Sequence, residues 1–97
     1  MSYARLITFN LDAGQRAFAE GIADKFAAML QSQQGFLSIS FFIDEASGEY
    51  ASISHWETKA DAEKSYQSSA PRLQEATAGM LKSSPTFKLY EVYEAKV

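Results

Sequence analysis

The stretch SISHWETKADAEKS, residues 52–65, places the chain's single histidine, His55, directly before its single tryptophan, Trp56. An imidazole titrates near neutral pH and can serve as a general base, while an indole offers a wide face for holding an aromatic ring. Successive residues of an extended chain point to opposite faces, so the two do not share a pocket unless a bulge separates them. Alternation sets Trp56 in a row with Tyr50, Ser52 and Ser54, and His55 in a row with Ala51 and Ile53. If the tryptophan row faces a helix, Trp56 can meet Tyr66 and whichever of Phe9 or Asn10 shares that side of the first strand. The result is an aromatic cleft with a phenol or an amide for hydrogen bonding. The plainer readings are that Trp56 fills core and that His55 is a structural hydrogen-bond partner, the role favoured for it here.

Other chemistries find little to build on. With no cysteine there is no disulfide, thiolate nucleophile or redox thiol, which fits a reducing compartment. Ser52 and Ser54 lack the motif context of a hydrolase nucleophile, and no glycine-rich phosphate loop is present. Glu57, Asp61 and Glu63 cluster at a helix start, where acids are favoured by the dipole, so no metal site is expected. A net charge of -3 with 22% charged residues provides no basic field for nucleic acid. No run approaches the length of a membrane span, and MSYARLITFN has a charge inside an alternating run rather than a signal-peptide core. A cytoplasmic protein is expected, with its 97 residues forming one domain.

The elements that must position these residues follow from periodicity. Tyr3 to Asn10 is rich in β-branched and aromatic residues and reads as a strand. From Gln15 to about Gln34, Phe18, Ile22, Phe26, Met29 and Leu30 recur at helical spacing. Asp12 is expected to pair with Gln15 at the N-cap, and Gly35 to end the helix in a left-handed turn. FLSISFFI (36–43) and EYASISHWE (49–57) are two strands of a hairpin closed by DEASG. Thr58 followed by Asp61 opens a second helix, which SSAP and Pro71 are expected to kink or split; TFKLYEVYEA supplies a fourth strand. The order β-α-β-β-α-β is that of an α+β, ferredoxin-like subunit with both helices on one face of a four-stranded antiparallel sheet. Aromatics fall on both sides of the strands, with Leu37, Ile39, Phe41 and Ile43 opposing Phe36 and Phe42. An open face of that kind favours sheet-to-sheet pairing into a homodimer over a monomer with exposed aromatics.

The segments ITFNLDAGQ, GFLSISFFID, SISHWETKADAEKS and LYEVYE resemble the antibiotic biosynthesis monooxygenase domain, of the dimeric α/β-barrel proteins, over nearly the whole chain. The most specific piece is WETKADAEKS, a third-strand tryptophan leading into an acidic, alanine-rich helix. The resemblance implies a homodimer through the sheet and oxidation of a small quinol, phenol or anthrone-like substrate by dioxygen without a cofactor. A non-catalytic dimeric module that binds a small aromatic ligand is the alternative. Trp56 matches the family's strand-three tryptophan and is carried over as a pocket residue. Asn10 is a pocket candidate, although the strand-one asparagine of haem-degrading members lies nearer the strand's start. Where quinol monooxygenase-like members have a histidine, this chain has Ala70 beside Pro71, and RLQEATAGML lacks the helical histidine of haem-degrading members. The expected site is Trp56 holding the ring, Tyr66 and Asn10 bonding its oxygens, and a base among these or His55.

Overall fold

A computed structural model describes residues 2–96. Its order is β1 (Tyr3–Asn10), α1 (Arg16–Leu30), β2 (Phe36–Asp44), β3 (Glu49–Trp56), α2 (Lys59–Ala76) and β4 (Thr86–Glu91). The strands form one sheet in the order β2-β3-β1-β4, every neighbouring pair antiparallel. This is the expected ferredoxin-like subunit. The fourth strand is shorter than expected: it stops at Glu91, and Tyr93 beyond it is 78% exposed.

The register assigns the two faces. Tyr3, Arg5, Ile7 and Phe9 of β1 stand opposite Trp56, Ser54, Ser52 and Tyr50 of β3, and opposite Glu91, Leu89 and Phe87 of β4. Leu30 of α1 and Ala62 of α2 pack with Trp56, while Ala19 of α1 packs with Tyr50. Both helices therefore cover the tryptophan face. The other face carries Leu6, Ile53, His55, Phe42 and Tyr90, and among the described residues neither helix lies over it. In β2 a bulge between Phe36 and Ser38 changes the expected parity. Leu37 becomes the extra residue, half-exposed, and Phe36 returns to the helix side, where its ring meets Trp56 edge-on at 5.5 Å.

Three local expectations need correction. The first helix starts at Arg16 with Gln15 at its N-cap and no side-chain cap bond, so Asp12 plays no part in capping. Gly35 does adopt a left-handed φ of 81°, but at the end of a connecting turn rather than directly after the helix, which stops at Leu30. Pro71 does not split α2, an unbroken helix of 18 residues. The carbonyl deprived of a donor by a proline belongs to the residue four positions earlier, here Gln67, which is exposed, so water can take the missing donor's place. At the other end, Thr58 caps as expected, its hydroxyl accepting from the Asp61 amide at 3.0 Å.

Between sheet and helices the buried residues form two clusters instead of one. Leu11, Ala19 and Tyr50 gather at one end, and Leu30, Trp56 and Ala62 at the other. A domain of this size ordinarily closes on one contiguous core. The interval between the clusters holds a cavity.

Candidate functional site

The cavity has a volume of about 240 Å³. Its floor is the sheet: Arg5, Ile7 and Phe9 from β1, Ile39, Phe41 and Ile43 from β2, Tyr50 and Ser52 from β3. These residues alternate along their strands, which is why one face collects them. Its roof is Ala19, Ile22, Ala23, Phe26 and Leu30 from α1, at spacings of one helical stripe, with Tyr66, Ser69, Ala70 and Leu73 from α2. Phe9 stacks on Tyr50 at 5.7 Å between ring centroids, and Tyr66 stacks on Phe87 at 3.9 Å. Glu20 and Asp24 are exposed at the rim. The chamber is thus apolar and aromatic, with few polar groups, as sites for small organic molecules usually are.

Of the residues expected to act, the structure brings Tyr66 to the cavity. Trp56 is on the helix side but fully buried at 0% exposure, in the core layer behind the wall. Its indole Nε1 donates to Ser54 Oγ at 2.8 Å, so even its polar atom is turned to the protein. His55 is on the open face, its Nδ1 3.3 Å from Ser38 Oγ, beyond hydrogen-bond reach of anything in the cavity. Asn10 has the parity of the open face and pairs with Glu49. Phe9 is the β1 residue that shares the aromatic side, so the amide expected in the cleft is replaced by a phenyl ring.

Arg5 is the polar residue that the reading of the sequence passed over. It is 2% exposed, lines the cavity, and sits with its guanidinium carbon 5.0 Å from the centroid of the Trp56 ring. Its Nη1 donates to the Ala62 carbonyl at 3.1 Å, while its Nε is buried without a partner. Burial pushes the guanidinium down to about 10, with the Tyr66 phenol acting in the opposite sense. The signal for Arg5 was present in YARLITFN: the cation is in phase with Tyr3, Ile7 and Phe9, the positions facing inward. Among the described residues no group of three histidine or carboxylate side chains is arranged to hold a metal ion.

The model of the antibiotic biosynthesis monooxygenase family matches residues 2–73. No curated protein matches the chain in sequence. Among solved structures, the chain is similar to SnoaB from Streptomyces nogalater, described as a cofactor-independent oxygenase. Sequence identity is 14%, coverage 97% of this chain and 95% of that one, and the TM-score 0.77. It is also similar to the monooxygenase of ActVA-Orf6 from Streptomyces coelicolor, solved in complex with nanaomycin D (17% identity, 99% and 91% coverage, TM-score 0.79). Rv0793 from Mycobacterium tuberculosis superposes over the full length of both chains at 12% identity and a TM-score of 0.77. At these identities the likeness shows a shared fold.

Proposed function

Because the chain belongs to the antibiotic biosynthesis monooxygenase family, we propose that it oxidises a small aromatic substrate with dioxygen, without a cofactor, in the cavity between sheet and helices. The observation that carries this reading is the aromatic chamber itself, which divides the core where a merely structural domain would close it. Two neighbours of the same fold are described as a cofactor-independent oxygenase and as a monooxygenase with a ligand bound.

The chemistry asks little of the protein. An electron-rich phenolate or carbanion can pass one electron to dioxygen, and the radical pair then combines at carbon. One oxygen atom ends as a carbonyl on the substrate and the other leaves as water, so R2CH2 + O2 becomes R2CO + H2O with no outside reductant. The chain supplies orientation and a dry, polarised site. To Tyr66, which lines the cavity and stacks on Phe87, we assign the holding of a substrate oxygen and the exchange of a proton with it. Trp56 contributes from behind, as the surface on which Arg5 rests. The open face, with Phe42 50% and Tyr90 43% exposed, is proposed to pair with a second copy in a homodimer.

A second reading, a non-catalytic module binding the same kind of ligand, is favoured by one observation: His55 lies across the sheet from the cavity, and no histidine lines it. Oxygen uptake by metal-free protein, measured against anthrones, quinols and catechols with a heat-denatured control, separates the two. We expect saturable uptake with at least one class, and a tenfold or greater loss of kcat in Tyr66→Phe. Binding without uptake would establish the module instead.

A further inference from the structure

The chemistry proposed above leaves Arg5 without a task. It is buried yet has no carboxylate partner, since the ion pairs among the described residues join Arg16 to Glu20 and Glu45. An uncompensated buried cation is a costly feature in a protein interior. Two contacts hold it in place: Nη1 on the Ala62 carbonyl, and the guanidinium over the Trp56 ring. With Nη1 engaged, the edge formed by Nε and Nη2 has no protein acceptor, and Nε is closed off from water as well, so an oxygen seated there must displace the wall atoms beside it. That edge presents two parallel N–H donors, which match two oxygens sharing one negative charge. Ser69, 5% exposed, lines the same cavity with its Oγ also lacking a partner. The acids at the rim are exposed, and Glu20 is already engaged by Arg16 at 2.9 Å.

We propose that the cavity selects a flat, apolar molecule bearing a two-oxygen anion, either a carboxylate or an ionised 1,3-dioxygen system, seated on the Nε/Nη2 edge of Arg5. The inference rests on reading the cavity as the substrate site and narrows the substrate class to molecules bound as anions. In that role Arg5 supplies the counter-charge that keeps the electron-rich form of the substrate ionised in an apolar chamber.

The test is isothermal titration calorimetry of the wild-type protein at pH 7 with 2-naphthoate, 2-naphthamide and ionised 2-phenyl-1,3-indandione. At least one anion is expected to bind tenfold or more tightly than the neutral amide, and whichever anion is tighter identifies the source of the oxygen pair. Arg5→Met should abolish that preference, leaving anions and amide within about twofold of one another, and Arg5→Lys should restore only part of it. Equal affinities for anions and amide would overturn anion selection and leave an aromatic site standing. No binding by any of the three would overturn the substrate cavity as well. The wild-type comparison stands whether or not the variants fold.

Discussion

At the scale of the residue, Arg5 ties stability to function. Burial holds its pKa at about 10, below the value of the unfolded chain, so the folded protein binds protons less readily. The cost is in full force at any pH below about 10 and is relieved as pH rises from there through the unfolded-chain value. At neutral pH it amounts to about 3 kcal/mol at 1.36 kcal/mol per unit. Arg5→Met removes that cost but deprives the Ala62 carbonyl of its donor and the Trp56 face of its cation, losses of about 1 kcal/mol each. We expect the variant to unfold at pH 7 about 5 °C above the parent in a thermal scan. A fall in Tm would identify the guanidinium as structural. Alternation separated His55 from Trp56 correctly, because period two survives any packing arrangement. It could not tell that Trp56 would lie behind the cavity wall, since depth depends on which helix residues press on the indole from above.

At the scale of the element, strand identities were legible because each strand repeats its pattern over several residues, whereas single-residue irregularities were not. The bulge at Leu37 moves Phe36 to the opposite face, and nothing in FLSISFFI distinguishes that register from a regular one. Pro71 looked like a helix break because its own chemistry is unfavourable, but the exposure of Gln67 removes most of the penalty. Gly48, by contrast, acts where the hairpin loop met expectation. It has a φ of 76°, accepts from the Leu11 amide at 2.9 Å, and a Cβ there would run into the Leu11 carbonyl oxygen. Gly48→Ala is expected to cost about 2–3 kcal/mol and lower Tm by roughly 10 °C or more, measurable by circular dichroism. An unchanged Tm would mean that the turn can adopt another backbone conformation.

At the scale of the whole molecule, the helix-free face of the sheet is where the proposed pairing is tested. Ile53 lies within it, facing Leu6 on β1 and Ser40 on β2. If the face pairs, the protein sediments at about twice 10.7 kDa, and Ile53→Arg sediments as a single chain with its β-sheet signal intact. A single-chain mass for the parent would refute the pairing. The cavity lies on the opposite side of the sheet, so its residues come from one chain and ligand binding should survive in the separated subunit.

The sheet order has one more consequence for that cavity. Ile7 and Ser52 belong to the two central strands, each hydrogen-bonded on both edges, whereas Ile39, Phe41 and Ile43 belong to β2, bonded along one edge alone. The chamber therefore has one stiff side and one compliant side. Bulk added to a ligand toward β2 meets a wall that can yield, while bulk added toward β1 meets one that cannot, so size discrimination is directional: strict beside Arg5 and permissive at the far end of the ligand.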